Sequence, residues 1–233
     1  MSKLKLIAFD ADDTLWHNLI HFEEAQNKFG KMLSNYVSEA DATEQLMNAE
    51  SRNISTYGFG VKSFTLSMIE TAIAISNGKI EAEIIAKLIA MGRDMLDHDI
   101  ELLPHVEETL KALHGDFKLF LITKGDLHHQ ERKFLASGLA HYFDGVEIVS
   151  DKKPETYARI AKQHGSTTSQ MLMAGNSIRS DVLPMIQAGG IGVYVPFEIL
   201  WDHEHEEVPK DTERFYHLRD LSELSELVKT LSR

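Results

Sequence analysis

The sequence contains no cysteine. Disulfides, thiolate nucleophiles and cysteine-type zinc sites are therefore excluded. Positive charge is also scarce: 24 Lys and Arg stand against 36 Asp and Glu, for a formal net charge of -12. That balance argues against non-specific nucleic-acid binding, which needs basic surface, and against docking to anionic membranes. A phosphorylated small molecule remains compatible with it, because one lysine and a metal ion reverse the sign inside a single pocket. Long apolar runs are missing too. No stretch nears the roughly 20 apolar residues of a membrane span. The N-terminal run stops at Asp10, too short for the core of a signal peptide. The cytoplasm is the expected compartment. The chain has no internal repeat and no low-complexity segment. With 233 residues, 43% hydrophobic and 26% charged, it has the make-up of one sizeable domain, or of a domain with an insertion.

The most informative stretch is Phe9-Asp10-Ala11-Asp12-Asp13-Thr14-Leu15. It follows a short apolar run, residues 4–9, that reads as a buried strand. Three carboxylates thus crowd the exit of a strand, where open α/β sheets bind ligands. Acids so close repel one another and call for a counter-charge. Oxygen-only ligands favour Mg2+.

Residues 20–103 contain no convincing strand. Apolar residues recur at three- and four-residue spacing over 22–36, 63–76 and 81–96, with breaks at Gly58-Phe59-Gly60 and Asn77-Gly78. Pro104 opens a helix to about His114. Strands and helices then alternate. Strands are predicted over 118–122, 146–149, 171–174, 191–195 and 215–218, and helices over 126–137, from Pro154, over 179–188 and over 221–231. Alternation of this kind implies a parallel, doubly wound sheet. The expected fold is a Rossmann-like α/β core, residues 1–16 and 104–233, with a helical domain, residues 17–103, inserted after the first strand. His203 and His205 lie in a stretch rich in His and Glu, 201–207, that reads as a solvated loop.

In a parallel sheet every strand exit lies on one edge. That edge would gather Asp10, Asp12, Thr123, Lys153, Asn176 and Asp181. This set resembles the haloacid dehalogenase superfamily over nearly the whole chain. Asp10-x-Asp12-x-Thr14 is similar to its first motif, Thr123 to the second, Lys153-Pro154 to the third and Gly175-Asn176-Ser177 with Asp181 to the fourth. Lys153 is chosen over Lys152 because the family's lysine directly precedes the proline. The helical insert resembles a cap of the first type.

The resemblance implies a Mg2+-dependent phosphatase acting on a small phosphorylated metabolite. Asp10 would attack phosphorus and form an aspartyl phosphate. Asp12 would protonate the leaving alkoxide and then deprotonate water, a task that calls for a raised pKa. Crowding and burial raise one, and Mg2+ opposes the rise. Thr123, Lys124 and Lys153 would hold the phosphoryl group. The implied metal ligands are the Asp10 side chain, the Asp12 carbonyl, the Asn176 side chain and Asp181, directly or through water. The fourth motif usually begins Gly-Asp, so Asn176 is a departure that removes one negative charge. In the insert, Lys62, Arg52 and the Gly58-Phe59-Gly60 turn are candidates for substrate selection.

Three alternatives follow from the same residues. A haloacid dehalogenase would lack the second aspartate, which is present as Asp12. A receiver-like signalling domain would keep its phosphoaspartate instead of turning it over. A phosphomutase of the same superfamily would return the phosphoryl group to an isomer of the substrate.

Overall fold

The computed structural model describes residues 3–199, 206–209 and 213–232. His203 and His205 lie outside the described residues. The fold is built outward from β1, Leu6–Phe9, which is buried along its whole length. Such a strand must have both faces covered, and β1 does. Ile7 and Phe9 join one core with Leu119, Leu121, Leu172 and Val193. Leu6 and Ala8 join the opposite core with Phe120, Ile122, Met171 and Met173.

The other strands are β2 (Lys118–Lys124), β3 (Gly145–Val149), β4 (Met171–Gly175), β5 (Ile191–Tyr194) and β6 (Phe215–His217). Among the described residues they form one six-stranded sheet in the order β3-β2-β1-β4-β5-β6. All the pairings are parallel. This is the expected doubly wound α/β sheet, and its chain order reverses direction between β1 and β4. At such a switch point the connections leave to opposite sides and open a crevice at the strands' carboxyl ends. Phe9 is level with Leu121 on one side and Ala174 on the other, so the exits of β1, β2 and β4 lie in register.

Seven of the helices precede the fourth strand. Four of them, α1 (Leu19–Met32), α2 (Glu39–Tyr57), α3 (Val61–Ile75) and α4 (Ala82–Asp97), fill the insert. The next three are α5 (Val106–Leu113), α6 (Leu127–Ala136) and α7 (Pro154–Gln163), and α8 (Leu183–Gln187) and α9 (Leu224–Leu231) follow. The chain divides into two compact units. The sheet unit holds Met1–His17, Ile100–Lys124 and Gln130–Arg233, and the helical unit holds Asn18–Asp99 together with Gly125–His129. The helical unit has its own core, built on Phe29, Leu46, Phe64, Met68 and Leu88. Apolar spacing does not single out α2, because Leu46 is the one large apolar side chain in its buried stripe of Ala42, Leu46, Ala49 and Glu50. Its start is nonetheless marked: the Ser38 hydroxyl accepts the Asp41 backbone N–H at 3.1 Å.

Glu50 is a carboxyl held in that second core. Its Oε2 is buried without a hydrogen-bond partner. Burial pushes its pKa up from 4.5 to about 7, against an opposing hydrogen bond with Gln26. The folded state therefore binds this proton more tightly than the unfolded chain. Its contribution to stability is complete below about pH 4.5 and is lost as the pH rises through about 7. A shift of this size corresponds to about 3 kcal/mol at most. Glu50→Gln should accordingly stabilise the protein at pH 8 and have little effect at pH 4.5. Urea unfolding of both proteins at the two pH values tests this; an equal difference at both would show that Glu50 is not the titrating group.

Candidate active site

The acidic loop leaves β1 through a tight turn. The N–H groups of Thr14 and Leu15 both donate to the Ala11 carbonyl, at 3.2 and 2.8 Å. Asp13, at φ 60°, takes the left-handed conformation that Asp tolerates better than most residues. The turn is tied to the exit of β4. The Asn176 N–H donates to the Thr14 hydroxyl at 3.0 Å, and that hydroxyl donates to Asn176 Oδ1 at 3.2 Å.

Asp181 sits in a wide π-type turn, Ile178–Val182, ahead of α8. It is fully buried. Its Oδ2 accepts the Ser177 N–H at 3.0 Å, and its Oδ1 accepts from Lys152 Nζ at 2.7 Å. Gly175 makes that approach possible, since a Cβ there would lie 2.2 Å from Asp181 Oδ2. Lys152 Nζ also donates to Asp10 Oδ1, at 2.5 Å. One buried ammonium thus serves two buried carboxylates.

The charge balance follows from this geometry. Burial would lower the Lys152 pKa, but the two aspartates outweigh it and raise it. Burial and the neighbouring Asp181 push Asp10 up to about 7, because Lys152 only partly offsets them. Asp12 differs. Burial alone would raise its pKa, yet Lys133, Gln130 and Trp16 together hold it below the ordinary carboxyl value. Lys133 Nζ donates to Asp12 Oδ1 at 2.5 Å and Trp16 Nε1 to the same oxygen at 2.7 Å, while Gln130 Nε2 donates to Oδ2 at 2.9 Å. Burial and crowding thus lift Asp10, while the donors around Asp12 hold it down.

The sheet unit therefore brings together Asp10, Asp12, Thr123, Lys124, Asn176 and Asp181 along its strand exits. Thr123 is buried and accepts from Gln130 Nε2 at 3.0 Å, and Lys124 Nζ donates to the Ser180 hydroxyl at 2.8 Å. Lys153 is the correction. Its side chain is 65% exposed and pairs with Asp151 at 3.2 Å, while Lys152 is the lysine at the carboxylates. Lys153 caps α7 in an extended conformation, φ -114° and ψ 164°. Successive side chains on an extended backbone point to opposite sides, so only one of the two lysines can turn inward. Lys62, in the helical unit, donates to both oxygens of Asp126, at 2.9 and 3.0 Å. Arg52 is exposed on α2. Gly58 and Gly60 take positive φ at the α2–α3 turn, where a side chain would be strained.

Sequence reasoning missed Gln130, Lys133 and Trp16. A faint signal existed: Gln130 and Lys133 lie three apart in the predicted helix, and so on one face.

The donor types present suit a hard cation: aspartate, amide and backbone oxygens, with no thiolate or imidazole among them. Among the described residues no three His, Asp or Glu side chains converge on one point. An ion here would thus rely on carbonyl, amide and water oxygens beside a carboxylate. Asp181 has both oxygens engaged already, which favours contact through water. A cation beside Asp10 would also supply the positive charge that a single lysine shared by two aspartates lacks.

A family model described as a haloacid dehalogenase-like hydrolase matches residues 4–189. A phosphoglycolate phosphatase of Vibrio cholerae is 27% identical over 98% of both chains. A glyceraldehyde 3-phosphate phosphatase of Methanopyrus kandleri is 24% identical over 82% of this chain and 84% of its own length. Among solved structures, a haloacid dehalogenase-like family hydrolase from Xanthomonas campestris is 38% identical and superposes with a TM-score of 0.89, covering 99% of this chain and 92% of its own.

Proposed function

The chain belongs to the haloacid dehalogenase-like hydrolases, and on that premise we propose that it is a Mg2+-dependent phosphatase that cleaves a small phosphorylated metabolite through an aspartyl phosphate. The observation that carries this reading is the pairing at one strand exit of a carboxylate bound to a buried lysine, Asp10, with a second acid two residues on, Asp12. Two phosphatases of different small phosphorylated substrates among the relatives support the same reaction class.

An Asp10 oxygen attacks phosphorus and the ester P–O bond breaks. The leaving oxygen keeps the electron pair of that bond and is protonated by Asp12, which must first take up a proton from solvent because its three donors hold it ionised at rest. In the second half, water gives a proton to Asp12 and attacks the phosphoryl group, so that inorganic phosphate leaves and the Asp10 carboxylate is restored. Lys152 keeps Asp10 and Asp181 together before substrate arrives, and the Thr123 hydroxyl donates to a phosphoryl oxygen. Mg2+, held by Asp10, the Asp12 carbonyl and Asn176, would neutralise charge on the phosphoryl oxygens. It would also draw Asp10 back to its ionised, nucleophilic form.

The test is phosphate release from a panel of small phosphate esters with Mg2+ and with a chelator. Release is expected with the metal and should fall to background without it. Acid quenching during turnover should leave one phosphoryl group on the peptide that carries Asp10. Formation of a product isomer without net phosphate would assign the protein to the phosphomutases instead.

A further inference from the structure

We propose that Lys133 and Gln130 are positioning residues that aim the Asp12 carboxylate at the water that hydrolyses the phosphoenzyme. This rests on the phosphatase reading above and extends it to residues that none of the four motifs contains.

The two side chains stand one turn apart on α6 and grip opposite oxygens of Asp12, Lys133 on Oδ1 and Gln130 on Oδ2. Trp16 Nε1 is the third donor to the carboxylate and the second on Oδ1. Both α6 side chains are buried. All three partners donate, and ammonium, amide N–H and indole N–H have nothing to accept with. A protonated carboxyl would turn one of its oxygens into a donor and waste a bond. The clamp thus fits the ionised carboxylate, the form that accepts a proton from water, and it holds that group in one orientation.

Gln130 links the base to the phosphoryl-binding side. The same Nε2 contacts the Thr123 hydroxyl at 3.0 Å and the Lys124 carbonyl at 2.5 Å. Its Oε1 is buried and meets no donor, so the amide is oriented by acceptors alone. One amide therefore sets the spacing between Asp12 and Thr123. The molecule spends a second buried lysine on this arrangement, beside the one that serves Asp10 and Asp181. Burying a lysine is costly unless it is paired, and this one is paired with the proposed proton acceptor.

The test separates the two half-reactions. para-Nitrophenyl phosphate, assayed with Mg2+, has a leaving group that departs without protonation, so its first step bypasses Asp12. In Lys133→Met the phosphoenzyme should form at the normal rate and break down slowly. We expect kcat to fall about tenfold or more and KM to fall in proportion, with kcat/KM held within about threefold. Nitrophenol should appear in a burst approaching one per active site. Gln130→Met should show the same split to a smaller degree, and it carries the test if Lys133→Met does not fold. A fall in kcat/KM equal to that in kcat, with KM unchanged and no burst, would overturn the inference and leave the phosphatase reading standing. Wild-type protein that releases no phosphate from any ester with Mg2+ would overturn both.

Discussion

Asp10→Asn should abolish turnover while the protein stays folded. The amide is close to isosteric with the carboxylate but cannot form the phosphoryl bond. Loss of a covalent nucleophile costs many powers of ten, and a fall in kcat of roughly 10⁴ or more is expected. The fold should tolerate the change for a specific reason. Lys152 is shared between Asp10 and Asp181. Removing one carboxylate still leaves the ammonium a partner at 2.7 Å. It also removes the burial penalty and the Asp181 repulsion that together push Asp10 up to about 7. Thermal unfolding should thus be near or above that of wild type. Steady-state phosphate release and a melting curve on the same preparation check both halves. Activity within tenfold of wild type would rule out Asp10 as the nucleophile.

The second large effect separates two adjacent lysines. Lys152→Met should remove most activity and destabilise the protein by about 3–5 kcal/mol at neutral pH, because it strands two buried carboxylates without a cation. The loss should shrink at low pH, where Asp10, pushed up to about 7 by burial and by Asp181, takes up a proton. Lys153→Met should leave kcat within about twofold and stability within about 0.5 kcal/mol, since an exposed ion pair contributes little. Urea unfolding and phosphate release on the two variants give the answer. Equal damage from both, or greater damage from Lys153→Met, would restore the assignment that proximity to Pro154 suggests.

Much of this molecule is legible in one dimension because strand exits and side-chain chemistry are local properties. The strand Leu6–Phe9 is apolar throughout, as a central parallel strand has to be, and Asp10 and Asp12 follow at once. Thr123 is the penultimate residue of β2, and Gly175 ends β4 with Asn176 directly after it, where residue type alone marks the position. Even Gly175 has a reason that the sequence hints at, namely a backbone approached closely by Asp181. The doubly wound sheet follows from the alternation of short apolar runs with helical periods. The α2 helix carries little apolar signal, because its buried stripe is two Ala, one Leu and one Glu.

What the sequence by itself determined is the chemical inventory and the order of its presentation: an acidic loop, a threonine, a lysine pair and an amide-bearing turn at successive strand exits. What only the tertiary structure decided is how charges are shared. Which of Lys152 and Lys153 turns inward depends on how the chain enters α7. Whether crowding lifts Asp10 or Asp12 depends on where the second ammonium lies. Lys133 is 121 positions from Asp12 along the chain, yet it is in direct contact with it. Electrostatic energies depend on distances in space and on burial. Both quantities come into being only when β1, β2 and α6 pack, so no reading of residue order could have paired those two groups.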